Sequence, residues 1–259
     1  MKKYIYPKLP AVVCTPLFRL AGNGLANCMC VYARGVKRAR ETNAAIIAPT
    51  WFNMSIGPYL RNQSDKRHYS GLFISKNEVS GINKIFHLLF HKNKIETVEG
   101  LSPYFADLLD DSQYIAQYIE NHINPSLLSR VNDYDFINCV AVHVRLGDYE
   151  ESRRVPISWY KKKVEELKAS HPEYRFCLFS DGKDDELLEL TSIPAVKRVF
   201  FGNAIADIFA ISKCCYLIGS DSTFSGCGAF LGQVPCVFYR KHYGPVLKDS
   251  RMEIIENEG

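Results

Sequence analysis

Apolar strand-like runs alternate with helical runs along the second half of the chain. Strands are predicted at residues 137–145, 175–180, 196–201 and 215–219, with a fifth at 236–239. Helices are predicted between them at 158–169, 184–190, 204–212 and 223–232. This alternation indicates a parallel sheet covered on both faces, the Rossmann-like arrangement.

The first half of the chain begins with a shorter pattern of the same kind. An apolar, β-prone run at 11–15 precedes Gly22 and Gly24, and apolar residues then recur at helical spacing from Leu25 to residue 36. A second apolar run, 44–48, follows. We therefore predict a βαβ unit near the amino terminus.

The middle of the chain is less regular. Residues 53–112 show no sustained period and are interpreted as acceptor-binding loops, whereas 114–122 has the spacing of a helix that ends near Asn124 and Pro125. The domain boundary is predicted there. The two domains would comprise 1–130, on the acceptor side, and 131–259, on the side that binds a nucleotide-sugar.

Composition places the chain among soluble globular proteins. Of its 259 residues 47% are hydrophobic, and 32 basic residues against 28 acidic ones give a net charge of +4. This mild excess suits a small anionic substrate without requiring nucleic acid. Two short basic clusters, 37–40 and 161–163, are interpreted as solvated helix faces, with contact to anionic lipid as the alternative.

The cysteines and the amino-terminal sequence predict a location. The nine cysteines include no C-x-x-C pair, which argues against a disulfide framework or a zinc site and favours a reducing compartment. No signal-peptide core and no apolar run of about 18 residues is present. We therefore expect a cytoplasmic protein. The alternative is a protein attached peripherally to the inner face of the membrane.

Polar residues follow three of the predicted strands, where ligands of parallel sheets bind. They are Arg145, Gly147 and Asp148 after the first strand, Ser180 and Asp181 after the second, and Ser220, Asp221, Ser222 and Thr223 after the fourth. Arginine suits a diphosphate because its planar fork donates two charge-assisted bonds to phosphate oxygens. The alternative is a structural Arg145–Asp148 pair beside a buried His143, and periodicity does not separate the two.

Two further segments precede helices. Ser222 to Ser225 would place hydroxyls and backbone N–H groups at a helix amino end, which describes an anion site or an ordinary cap equally well. Gly22 to Asn27 is a Gly-rich loop that matches neither the dinucleotide fingerprint nor the P-loop.

Two patterns that could indicate a metal are interpreted otherwise. Asp133-Tyr134-Asp135 precedes a strand, at the wrong edge of the sheet for a donor site, and is predicted to be a loop. His87 and His91 are spaced as helical neighbours but have no third ligand nearby in the sequence, so an exposed helix face is favoured.

These motifs together resemble those of glycosyltransferase family 11, the α-1,2-fucosyltransferases, and of the wider group with α-1,6- and protein O-fucosyltransferases. The family's G-G-L-G-N-Q segment is similar to 22–27, and its H-x-R-R-G-D-Y motif to 143–149. Its F-S-D motif is similar to 179–181, and its S-T-F-S-W-W-G-A motif to 222–229. Order and spacing agree over roughly residues 11–240.

The resemblance implies a GT-B-like α/β fold with two Rossmann-like domains and a donor cleft between them. It implies an inverting transfer of L-fucose from GDP-β-L-fucose to the 2-hydroxyl of a galactosyl acceptor, with no metal and no cofactor beyond this co-substrate. Arg145 would stabilise the departing GDP, and Asp148 would orient Arg145 or act as a base. The donor would also contact His143, Asp181, Ser222, Thr223, Phe224, Gly24 and Asn27.

The sequence departs from the family pattern at several positions. Leu146 stands in place of the second arginine, Gly226-Cys227 replaces the tryptophan pair, and Cys28 replaces the glutamine of the first motif. The alternatives are therefore a GDP-sugar transferase with another linkage or donor, and a catalytically silent glycan- or nucleotide-binding protein. The expected acceptor is a free or lipid-linked oligosaccharide, as used for surface polysaccharide.

Overall fold

The computed structural model of the chain describes residues 3–56, 66–147 and 149–256. It divides into two compact units, Met1–Leu127 and Leu128–Gly259. The sequence placed the boundary between residues 130 and 131.

Both units contain strands and helices. The strands are β1 (Tyr4–Pro7), β2 (Ala11–Cys14), β3 (Arg19–Gly22), β4 (Ala45–Ile46), β5 (Asn53–Met54), β6 (Ile95–Val98), β7 (Cys139–Val144), β8 (Arg175–Ser180), β9 (Val196–Arg198), β10 (Tyr216–Gly219), β11 (Cys236–Phe238) and β12 (Glu253–Ile255). The α-helices are α1 (Leu25–Thr42), α2 (Gly81–Phe90), α3 (Ser112–His122), α4 (Ser129–Asn132), α5 (Ile157–Ser170), α6 (Leu188–Thr191), α7 (Ala204–Ser212) and α8 (Thr223–Gly232). Short 3₁₀ helices lie at Lys92–Lys94, Ala106–Asp111, Pro125–Leu127, Glu151–Arg153 and Ser250–Met252.

The described strands of the first unit form two small sheets. In one, β1 lies between β4 and β6 and is parallel to both. Helix α1 packs on β1, and a Cβ at Gly35 would come within 2.4 Å of Pro7 Cγ, so the small residue permits this close approach. In the other sheet, β3 pairs with β2 antiparallel and with β5 parallel.

The βαβ unit of the first half exists, but its first strand was predicted wrongly. The strand that leads through α1 to β4 is β1, not the run at 11–15. That run forms β2, a hairpin strand in which Val12 is 82% exposed. β-branched residues favour extended backbone whether or not it is buried, and a proline is tolerated at a strand end, where Pro7 lies.

The second unit is a single parallel sheet with helices. Its strand order is β12-β11-β10-β7-β8-β9. The chain therefore begins in the middle with β7, proceeds outward through β8 and β9, and returns to add β10, β11 and β12 on the other side, which is the Rossmann order. Strand β7 is buried along its whole length, as expected for a central parallel strand.

Most elements predicted for this unit are confirmed, including α7 and α8 at the predicted residues. Helix α6 is shorter than the predicted 184–190. Strand β12 was not predicted, since its three half-exposed residues give too short a pattern. Asp133 to Asp135 lies in a loop before β7, as predicted.

Helices α7 and α8 approach each other at two glycines. A Cβ at Gly228 would lie 2.5 Å from Ile211 Cγ2, and a Cβ at Gly232 would lie 2.0 Å from the backbone oxygen of Ser212. Larger side chains would force the two helix backbones apart. This contact supports the position of α8, whose amino end follows β10 at the carboxyl edge of the sheet.

Candidate functional site

The reversal of strand order in the second unit falls between β7 and β10. His143, near the end of β7, is paired with Gly219 at the end of β10. The chain leaves these neighbouring strands in opposite directions, which opens a crevice beyond their carboxyl ends. The residues that follow β7, β8 and β10 lie at this edge and form the candidate site.

His143 lies at the base of this edge and is 5% exposed. Its Nδ1 is 2.5 Å from the hydroxyl of Ser225 and 3.0 Å from the hydroxyl of Ser220. Its ring stacks on Phe224, with 4.9 Å between ring centroids. Hydroxyls at both positions can donate or accept, so they can satisfy a neutral imidazole without a charged partner.

Burial lowers the pKa of His143 to about 3, and the positive charge of Arg145 contributes in the same direction. The imidazole is therefore neutral at physiological pH. It can serve as a hydrogen-bonding and packing group, but it is not a source of positive charge for a phosphate.

This neutral histidine predicts a stability change with pH. In the unfolded chain His143 takes up a proton below about pH 6.5, whereas the folded protein resists protonation until about pH 3. Stability from this residue is thus present above about pH 6.5 and is lost on acidification, by at most about 1.4 kcal/mol per pH unit. Urea unfolding of the wild type and of His143→Gln at about pH 7 and about pH 5 should give a smaller acid loss for the variant. Parallel pH dependences would contradict the neutral assignment.

Arg145 follows β7 and forms an ion pair with Asp181, which follows β8. Arg145 Nη1 lies 2.7 Å from Asp181 Oδ2, and the two side chains are 23% and 31% exposed. The other carboxylate oxygen of Asp181 accepts the backbone N–H groups of Leu146 and Gly147, at 2.9 and 3.1 Å. Asp181 therefore fixes both the guanidinium and the loop that carries it.

The absence of a side chain at Gly147 leaves room for this carboxylate. A Cβ at this position would lie 2.5 Å from Asp181 Oδ2 and 2.9 Å from Asp181 Cγ. Any larger residue would push the carboxylate away from the loop. The glycine of the motif thus allows the Asp181 side chain to approach the backbone of the loop closely. It also allows the chain to turn sharply after the strand.

Tyr149 connects the loop after β7 with the segment after β10. Its hydroxyl donates to the backbone oxygen of Asp221 at 3.0 Å and also interacts with Ser222. The Arg145 guanidinium lies 5.7 Å from the centre of its ring. Arg145 and the start of α8 are therefore held at the same edge by one aromatic side chain.

The amino end of α8 is capped by Ser222. Its hydroxyl accepts the N–H of Phe224, and its own N–H donates to Ser220 O at 2.7 Å. The first turn of a helix has N–H groups without intrahelical acceptors and carries partial positive charge. Thr223 is the first residue of this turn. The cap and the anion site, left as alternatives by the sequence, are compatible, because the cap uses one N–H of the turn.

Asp221 and His242 form a pair that the sequence pattern did not indicate. Asp221 Oδ1 lies 2.6 Å from His242 Nδ1 and accepts the His242 backbone N–H at 3.2 Å. His242 follows β11, the strand beside β10. The only available signal was that an Asp and a His each follow a parallel strand.

Gly226, in the segment that follows β10, lies directly against the ring of Tyr243. A Cβ at Gly226 would lie 2.6 Å from Tyr243 Cε2, so the tyrosine ring occupies the space directly beside this glycine. Tyr243 is 1% exposed and packs edge-on against Phe238. A larger residue at position 226 would have to displace this buried ring.

The remaining predicted site residues belong to the first unit or lie outside the described residues. Gly24 precedes α1 as its N-cap. Asn27 lies in the first turn of α1, and its buried Oδ1 has no hydrogen-bond partner among the described residues. Asp148 is outside the described residues, and the orienting carboxylate that the structure places on Arg145 is that of Asp181.

Within residues 3–56, 66–147 and 149–256, no three His, Cys, Asp or Glu side chains come together as a metal site. His87 and His91 lie near each other, with ring centroids 5.2 Å apart. No helix in the described part of the chain combines the length and the apolar character needed to cross a bilayer.

Comparison with known proteins gives similarity at the level of structure. No protein-family model and no curated protein sequence matches the chain. The NodZ fucosyltransferase from Bradyrhizobium is 14% identical, with 91% of this chain and 94% of that chain covered and a TM-score of 0.58. A NodZ α-1,6-fucosyltransferase structure co-crystallised with GDP is 13% identical, with 91% and 93% covered and a TM-score of 0.58.

Two other solved structures extend the comparison. Arabidopsis thaliana FUT1, in complex with GDP, is 12% identical, with 97% of this chain and 73% of that chain covered and a TM-score of 0.52. The Escherichia coli heptosyltransferase WaaC with ADP is 10% identical, with 99% and 93% covered and a TM-score of 0.50. At sequence identities this low, the similarity shows a shared fold and nothing about activity.

The chain is an α/β protein of the GT-B fold class, as the sequence predicted. Fucosyltransferases and a heptosyltransferase share this fold. The structural likeness therefore does not separate glycosyltransferase family 11 from the wider group.

Proposed function

We propose that the chain is an inverting glycosyltransferase that binds the diphosphate of a GDP-sugar at the carboxyl edge of the second unit. The observation that carries the proposal is the Arg145–Asp181 pair, which lies beside the amino end of α8 at the strand-order reversal. Support for a GDP-sugar comes from the four sequence motifs and from the two fold relatives whose structures contain GDP.

The charge balance at this edge is suited to a leaving diphosphate. Two backbone N–H groups offset part of the negative charge of Asp181. Asp181 therefore neutralises the positive charge of Arg145 only in part, and Arg145 can still attract a phosphate. As the glycosidic bond breaks, negative charge grows on the departing phosphate, and a preorganised guanidinium and helix amino end stabilise it. His143, being neutral, adds shape and hydrogen bonds to this site.

The donor in this proposal is GDP-β-L-fucose, and the acceptor is the 2-hydroxyl of a galactosyl residue in an oligosaccharide or lipid-linked glycan. The reaction is proposed to need no metal. Arg145 would stabilise the charge of the leaving diphosphate, as a bound metal ion does in metal-dependent transferases. The linkage and the acceptor rest on the resemblance of 22–27, 143–149, 179–181 and 222–229 to the family motifs.

The acceptor hydroxyl must lose a proton during the transfer. His242, oriented by Asp221, is the described residue at this edge best suited to receive it, and Asp148 is the alternative from the sequence. If His242 is the base, His242→Gln should lower kcat and leave KM for the donor unchanged. Unchanged kcat would leave Asp148 as the candidate.

A panel of nucleotide-sugars tests the assignment. The purified chain is incubated with GDP-fucose, GDP-mannose, UDP-galactose or ADP-heptose and a galactose-terminated acceptor, and nucleotide release and product linkage are measured. We expect release of GDP from GDP-fucose that depends on the acceptor. Faster turnover of GDP-mannose would overturn the fucosyl assignment, and GDP binding without transfer to any acceptor would indicate a silent binding protein.

A further inference from the structure

Helix α2 in the first unit has the inverse of the usual burial pattern. Lys84 is its one buried residue. Four apolar residues of the helix are largely exposed: Ile82 (80%), Phe86 (50%), Leu89 (54%) and Phe90 (70%). Their spacing of i, i+4, i+7 and i+8 places them on one face, opposite Lys84. Clustered exposed side chains of this size mark an interaction surface.

Polar contacts hold the helix in this orientation. Lys84 Nζ donates to the hydroxyl of Thr50 at 2.8 Å, and both residues are buried. On the same helix, the His87 ring lies 4.2 Å from the ring of Tyr4, measured between centroids. The contact of Lys84 with Thr50 fixes one side of α2 to the first unit, so the apolar face on the other side is directed outward.

The charge around this face is positive. Apart from the buried Lys84 on the opposite side, residues 80–95 contain two lysines and two histidines but no aspartate or glutamate. Lys92 is exposed just beyond the end of α2, and no carboxylate of the described residues pairs with it or with Lys94. The basic residues of cluster 37–40 differ, since Lys37 and Arg40 pair with Asp111, and Arg38 pairs with Glu96. That cluster is an ion-paired helix face.

We propose that the apolar face of α2 inserts into the interface of an anionic lipid bilayer. Phenylalanine and leucine side chains would enter the boundary between headgroups and acyl chains, while Lys92 and Lys94 contact lipid phosphates. A second copy of the chain fits less well, because a two-fold contact through this face would bring the same lysines towards each other. The proposal is independent of the proposed reaction.

Co-sedimentation of the full chain with vesicles tests this surface. We expect binding to equimolar phosphatidylcholine and phosphatidylglycerol vesicles and little binding to phosphatidylcholine alone. The double variant Phe86→Ser/Phe90→Ser should lose about tenfold or more in partitioning, since each buried phenylalanine contributes substantially to insertion. Lys92→Gln/Lys94→Gln should lose about fivefold per lysine on anionic vesicles.

The control is Phe200→Ser, which removes a phenylalanine that is 64% exposed in the second unit and should leave partitioning unchanged. Thermal unfolding followed by circular dichroism checks that all variants fold. Light scattering of the free protein detects self-association through the same face. Equal partitioning of the wild type and the double phenylalanine variant, or a change in mass without any vesicle binding, would overturn the proposal.

Discussion

Replacement of Arg145 by lysine should lower kcat/KM for transfer from the GDP-sugar by about a hundredfold, the scale of losing one preorganised transition-state donor. Lysine keeps the positive charge, but it is a point charge that cannot bond Asp181 and a phosphate oxygen through one planar fork. The loss should appear mainly in kcat, because the charge on the leaving phosphate grows as the bond breaks. Steady-state kinetics with saturating acceptor measure it.

Arg153→Lys is the matched control for this prediction. The Arg153 guanidinium lies 4.7 Å from the centre of the Tyr149 ring, the ring that Arg145 also approaches. The ion pair with Asp181, however, is made by Arg145. We expect the kcat/KM of Arg153→Lys to stay within about threefold of the wild type, as for a screened, exposed charge. Retention of most activity in Arg145→Lys would remove the guanidinium from the mechanism.

Replacement of Gly232 by alanine should destabilise the protein by about 3 kcal/mol, the upper part of the range for overpacking a close contact. The added methyl would lie 2.0 Å from the backbone oxygen of Ser212, so relief requires helix α8 to move away from the end of α7. Urea unfolding at neutral pH measures the change as a lower midpoint.

Gly24→Ala is the comparison for folding. A Cβ at Gly24 would meet no atom within 4 Å, and the backbone φ of −60° suits any residue. Its free energy of unfolding should change by less than about 0.5 kcal/mol. If Gly232→Ala unfolds at the same urea concentration as the wild type, the two helices can separate more easily than their close contact indicates.

The second unit was largely predictable because its elements are long, buried and regularly alternating. Strand β7 is apolar throughout, and Ser222 marks the start of α8 as a capping residue. In the first unit the pattern misled, because β-branched residues at Val12 and Val13 occupy an exposed hairpin. Helix α2 lies within residues 53–112, which were interpreted as loops; it was missed because its apolar residues lie on the outer face and the surrounding sequence has no sustained period.

The sequence placed Arg145 and Asp181 at the same edge of the sheet but did not predict that they pair with each other. Arg145 and Asp181 were both expected at the donor, but their mutual ion pair joins residues 36 positions apart and follows from the pairing of β7 with β8. Asp148, the neighbour in sequence, was the natural expectation for the orienting carboxylate. The contact of Tyr243 with Gly226 likewise depends on tertiary packing that local spacing does not encode.

The contacts of Asp181 with the loop after β7 restrict which residues can stand at positions 147 and 181 together. Its carboxylate needs the guanidinium of Arg145, the N–H of Leu146 and the missing side chain of Gly147 at the same time. Substitution at position 181 would release the restriction at 147, whereas a side chain at 147 would displace the carboxylate at 181 from these contacts. Among homologues, positions 147 and 181 should therefore vary together, with glycine at the first wherever the second is aspartate.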